Sequence, residues 1–111
     1  PDFIIRRGDE IVLVLDTKWK RMTPRIDDAK QGVSQADVYQ LMAYSQLYDC
    51  KRVMLLYPHH AGLPEARIST RYAIAAMAAE TSLRVATLDV SGPGRAQVRD
   101  LGELIAQALE G

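Results

Sequence analysis

Two short apolar runs separated by a single turn signal constrain this chain most: Phe3 to Arg7 and Glu10 to Leu15 are dense in Ile, Val, Leu and Phe, and Gly8-Asp9 lies between them. Runs of that length bounded by Gly-Asp read as an antiparallel hairpin. Alternation puts Ile4, Val12 and Val14 on one side and Phe3, Ile5, Leu13 and Leu15 on the other. Both sides are apolar, so both strands are expected in the middle of a sheet covered by helices on each face.

Charged residues stand where these runs end. Asp2 opens the first, and Asp16-Thr17-Lys18 closes the second. Register decides whether they meet. A strict two-residue loop pairs Arg7 with Glu10 and sets Asp2 opposite Leu15, which sends Asp2 and Asp16 to opposite faces. One extra residue at the turn, with Gly8 left-handed as in a G1 bulge, pairs Asp2 with Asp16 and keeps Lys18 on their face. The bulged register is the expected one. Ionisable groups at the end of buried strands cost free energy unless they pair or hold a metal.

The remaining pattern completes an α/β chain. A polar, Pro-containing stretch from Met22 to Val33 reads as a loop. Ser34 can cap a helix running to Tyr48, with Asp37 at the positive end of its dipole and Val38, Leu41, Met42, Ser45 and Leu47 or Tyr48 at helical spacing. Arg52 to Tyr57 reads as a buried strand stopped by Pro58, Arg67 to about Ala73 as a half-exposed strand, and Leu83 to Val90 as another. From Gln97 onward Val98, Leu101, Leu104, Ile105 and Ala108 or Leu109 trace an amphipathic helix.

The chain has 111 residues, the size of one domain (1–111). Lys plus Arg and Asp plus Glu number 14 each, so no global positive field captures nucleic acid unaided. Cys50 is the single cysteine and reads as a small apolar filler; no stretch has the length of a membrane span or the pattern of a secretion signal. The expected location is the cytoplasm. Ser91-Gly92-Pro93-Gly94 lacks the Lys-Ser/Thr of a nucleotide-binding P-loop, and His59-His60 has no spaced partner for a zinc site.

Two carboxylates, a backbone carbonyl such as that of Thr17, and a substrate phosphate make a ligand set for a magnesium ion, and a neighbouring lysine can orient a water or offset charge on a phosphorane. D-x-K alone more often marks strand-end surface charge than a site. Context adds to it: Asp16 follows five apolar residues, and the following helix carries Tyr39-Gln40, where Gln40 can bond a water or a phosphate oxygen and Tyr39 either joins the core or closes the pocket.

With these residues in order, Pro1-Asp2, Asp16-x-Lys18 and a helix with Tyr39-Gln40, the chain resembles the PD-(D/E)XK nuclease superfamily. The wording Val-Leu-Asp-Thr-Lys-Trp-Lys, then Asp37-Val-Tyr-Gln-Leu-Met-Ala-Tyr44, then Leu-Leu-Tyr57-Pro58-His, is similar to the McrC nuclease domains of McrBC restriction systems, most strongly from Asp2 to Pro58. The resemblance implies a restriction-endonuclease-like mixed central sheet flanked by helices. It also implies a magnesium- or manganese-dependent DNA endonuclease in which Asp2, Asp16, Lys18 and Gln40 are catalytic and Asp2, Asp16 and Thr17 hold the metal. An AAA+ GTPase partner resembling McrB would bind and translocate the DNA; dependence on methylation stays open. Superfamily members carry a helix and a strand before the PD strand, so this chain is expected to be part of a longer protein whose upstream segment supplies them. The competing expectation is a nuclease-fold module that binds a partner NTPase without cleaving.

Overall fold

The computed structural model describes residues 1–18, 35–60, 62, 69–73 (as backbone) and 81–110. The expected 22–33 loop, the Ser34 cap, Lys20, Arg21, Arg25 and Lys30, and the start of the strand expected from Arg67 lie outside them. Seven elements follow in chain order: β1 (Phe3–Arg7), β2 (Glu10–Thr17), α1 (Gln35–Leu47), β3 (Arg52–Pro58), β4 (Ser69–Ala73), β5 (Ser82–Leu88) and α2 (Gly94–Glu110). The strands form a mixed five-stranded sheet in the order β1-β2-β3-β5-β4. β1 and β4 run antiparallel to their neighbours, while β2, β3 and β5 are mutually parallel. This is the expected α/β architecture, consistent with a restriction-endonuclease-like fold.

The hairpin corrects two expectations. Its turn is the tight one, Arg7 opposite Glu10 with Gly8 at φ 63°, a backbone that glycine adopts without steric cost. The extra residue sits further along: Ile5 pairs with Leu13 but Arg6 pairs with Ile11, so Val12 bulges out of β2. Beyond the bulge Ile4 pairs with Val14 and Phe3 with Leu15, a register that sets Asp2 opposite Asp16. The expected pairing at the site is therefore reached through a different bulge. It also turns Ile11 to the face of Val14, where it packs against the α1 cluster. The second correction concerns β1, which is an edge strand among the described residues and mostly exposed; of the two hairpin strands, β2 is the one with both faces covered.

Each face of the sheet buries its own cluster. Val14, Val53, Leu55, Tyr57, Leu83 and Val85 meet Val38 and Leu41 of α1. Leu13, Leu15, Met54, Leu56 and Ala86 meet Leu104 and Ala108 of α2. Tyr48 packs against the first cluster while Leu47 is exposed, which settles that alternative. α2 begins at Gly94 rather than Gln97, because Ala96 and Gln97 already donate to the Pro93 carbonyl; Val98, on its first turns, is exposed. Pro58 extends β3 instead of stopping it. The next amide, His59, donates to Leu88 O on β5, so the missing N–H of Pro58 falls on the side away from that strand.

Candidate active site

The site is assembled where β2, β3 and α1 converge at the C-terminal ends of the parallel strands, the usual place for ligands in open α/β sheets. Asp16 and Lys18 are two residues apart and share the α1 face, as period-two geometry requires. Lys18 Nζ lies 2.8 Å from Asp16 Oδ2 and 3.6 Å from Asp37 Oδ1, and it donates to Gln40 Oε1 at 2.7 Å. Gln40 is held in turn, its Nε2 donating at 3.1 Å to the hydroxyl of Tyr44 one helical turn on. The ammonium therefore has two oxygens at hydrogen-bond distance, Asp16 Oδ2 and Gln40 Oε1, and a second negative charge close by in Asp37. Burial works against its charge, but the hydrogen bond and charge of Asp16, with the charge of Asp37, outweigh that and hold the Lys18 pKa above its ordinary value. At neutral pH Lys18 is a cation and not a base.

Asp2 is fixed from the neighbouring strand. Its Oδ2 accepts from the Thr17 hydroxyl at 2.6 Å and from the Thr17 amide at 2.8 Å. Those two bonds lower its pKa, the hydroxyl contributing more than the amide, and Asp16 is close enough to be sensed by its carboxyl group. The structure thus brings Asp2, Asp16, Thr17, Lys18 and Gln40 into one constellation. Oδ1 of both acids is left unused by Thr17 and Lys18, and paired hard oxygens of this kind suit a divalent cation such as magnesium. Among the described residues no three His, Cys, Asp or Glu side chains cluster as a metal site by themselves.

Asp37 and Tyr57 are additions to the set read from the sequence. Asp37 is buried, pairs with Lys18 and accepts from the Tyr57 hydroxyl at 3.1 Å. Burial, followed by the charge of Asp37, pushes the Tyr57 pKa far up, so this phenol is a fixed donor. The signal was an acid on the same helical stripe as Val38 and Leu41. Its place in the first turn of α1 accounts for an aspartate equally well, and so hides it. Tyr39 neither joins the core nor closes the site: it is exposed, with its hydroxyl accepting from Gln35. His59 is half-buried and its Nδ1 lies 2.8 Å from Thr87 Oγ1, so it is not the solvated loop residue its surroundings in the sequence suggest. Cys50 is buried, its thiol donates to Arg52 O, and burial raises its pKa, which fits a filler and not a nucleophile.

The family model for the McrBC 5-methylcytosine restriction system component matches residues 1–58, just over half of the 111-residue chain. The chain belongs to the McrBC restriction-system family. Every residue of the constellation, from Asp2 through Asp16, Lys18, Asp37 and Gln40 to Tyr57, falls inside the matched segment, whereas β4, β5 and α2 lie outside it. The resemblance read from Asp2 to Pro58 holds at the level of this family. No curated protein matches the McrBC-family chain in sequence. Among the described residues no helix is long and apolar enough to cross a membrane.

Proposed function

We propose that this chain is the nuclease domain of a McrBC-like restriction system, a PD-(D/E)XK enzyme that hydrolyses DNA phosphodiesters with magnesium or manganese. The observation that carries the reading is the three-way hold on Lys18 by Asp16, Asp37 and Gln40, next to the Asp2–Asp16 carboxylate pair. An ammonium locked beside two acids at a strand end is costly as mere scaffold, since each group loses hydration. As chemistry it has a use.

Asp2 and Asp16 would hold the cation, with the Thr17 carbonyl as a further protein ligand. When bound, such an ion polarises the scissile phosphate and lowers the pKa of an attached water. The chain's own residues do the rest. Thr17 fixes the direction of Asp2 and favours its ionised form through two hydrogen bonds. Lys18, already protonated and prevented by Asp37 and Gln40 from swinging away, meets the negative charge that builds on the phosphoryl oxygens as the water adds. Because it is positioned before substrate arrives, little reorganisation is needed at the moment of reaction. The equal counts of acidic and basic residues suit a division of labour in which an AAA+ GTPase subunit resembling McrB captures and moves the DNA.

The test is cleavage by the complete protein with its NTPase partner. Asp16→Asn and Lys18→Ala should each lower the rate by roughly 10²- to 10³-fold, the cost of removing one preorganised charge-stabilising group. Melting temperature and association with the partner should be retained. Cleavage at the wild-type rate by either variant rejects the assignment and leaves the non-cleaving interaction module.

A further inference from the structure

On the opposite face of the sheet from Lys18 Nζ, at the same strand ends, lies a recess of about 200 Å³. Phe3, Leu56, Leu88, Val90 and Leu101 give it apolar walls, and Thr17 and Lys18 form the side shared with the candidate active site. Its volume falls below the roughly 300 Å³ at which drug-sized pockets begin, and suits a single ring system. Phe3 and Val90 stand at its rim 52% and 42% exposed, which leaves the mouth of the recess open to solvent.

Gln97 supplies the polar element. Its Nε2 donates at 2.9 Å to both Val90 O and Gly92 O. Two carbonyl acceptors fix which end of the amide is nitrogen and use both of its hydrogens, which leaves Oε1 as the group with acceptor capacity to spare. An apolar slot with an aromatic rim, one amide oxygen and a wall in common with the candidate active site suits a flat, unstacked ring.

We infer that the recess receives an unstacked nucleobase of the nucleotide next to the scissile phosphate, stacked on Phe3 and offering a base N–H to Gln97 Oε1. This rests on the nuclease reading for its phosphate. The connection is Thr17, whose hydroxyl holds Asp2 and which also lines the recess, so a single residue borders both the acids and the slot. Extruding a base costs stacking energy, which an aromatic platform in an apolar slot offsets.

The experiment uses the complete protein and its NTPase partner, with DNA carrying 2-aminopurine beside the cleavage position. In an Asp16→Asn background, which should not cut, 2-aminopurine emission should rise on binding. Phe3→Ala, a change at an exposed position, and Leu88→Trp, which fills the slot, should each at least halve that rise. With Asp16 intact, both should slow cleavage by about 5-fold or more, the scale of one lost base stack. Unchanged emission in a Phe3→Ala protein that melts like wild type overturns the inference, as does loss of partner association with emission unaltered, which would make the recess a protein contact. A wild-type protein without Asp16-dependent cleavage overturns the nuclease reading instead, and emission still decides whether a base enters the slot.

Discussion

The two helices cover the same sheet and are built on different plans. α2 is strongly amphipathic: Leu101, Leu104, Ile105, Ala108 and Leu109 form a purely apolar stripe against Leu13, Leu15, Met54 and Leu56. α1 buries Asp37 and Ser45 together with Val38 and Leu41, and its apolar and polar residues are barely segregated. On the α1 side the strand ends answer with Asp16, Lys18 and Tyr57. The difference separates scaffold from site. One helix gains stability by excluding water, while the other gives up part of that gain to carry charges that hold a lysine.

The sharpest way to break this contrast is in the scaffold, where the largest stability effect is expected. Leu104 is fully buried between α2 and the sheet, so Leu104→Ala should cost about 2 to 5 kcal/mol through lost burial and the cavity left behind. Denaturant unfolding measures it. The part of the protein that stays folded should keep its specific cleavage rate, because Asp16, Asp37 and Gln40, which hold Lys18, stand on β2 and α1. A loss of rate per folded molecule larger than the loss of folded molecules would show that the faces are coupled.

Next in size is Asp37→Asn, on the other helix. The amide keeps an acceptor for Tyr57 but removes the charge 3.6 Å from Lys18 and can point a donor at it. As a change behind the reacting groups it should slow cleavage by roughly 10- to 100-fold with little change in substrate binding. Its signature is in the pH profile. The Lys18 pKa is raised above 10.5, so the stability it contributes is complete below about that pH and is lost as pH rises through the higher folded value. Removing Asp37 takes away part of the elevation, and the alkaline limb of the rate profile should move to lower pH. An alkaline limb that stays put would mean Asp37 is structural only.

The sequence disclosed what depends on spacing. Asp16 and Lys18 had to share a face, and the helix bearing Gln40 had to cross from β2 to β3, because two residues fix a strand side and a parallel pair needs a crossover. It did not disclose where the hairpin is irregular. Ile11, Val12 and Leu13 are all apolar, so an extra residue fits at any of them without exposing a polar group, and the pattern cannot choose. The end that matters came out paired as expected because any single bulge between the turn and Leu13 sets Asp2 opposite Asp16. The role of Tyr57 is hidden in the sequence for a related reason. A tyrosine ending an apolar strand serves as a core ring, and its hydroxyl acquires a role only when the fold brings Asp37 to it.

The smallest effect expected tests how finely the first acid is tuned. Thr17→Val keeps the branched shape that suits a strand and deletes the hydroxyl that donates to Asp2 at 2.6 Å, leaving the amide bond in place. Stability at neutral pH should fall only slightly, because the lost bond is solvent-exposed. The rate there should hold as well, since Asp2 is ionised with or without the hydroxyl. The difference belongs in acid. Asp2 has a pKa lowered from 3.8, so its contribution is present above that value and is lost as pH falls through the lower folded one. With one donor gone the pKa moves back up, and the acid limb of both the cleavage profile and a carboxyl titration followed by NMR should shift to higher pH. A shift in the titration without one in cleavage would remove Asp2 from the reacting groups while leaving Asp16 and Lys18 in place, which is the narrowest revision the site allows.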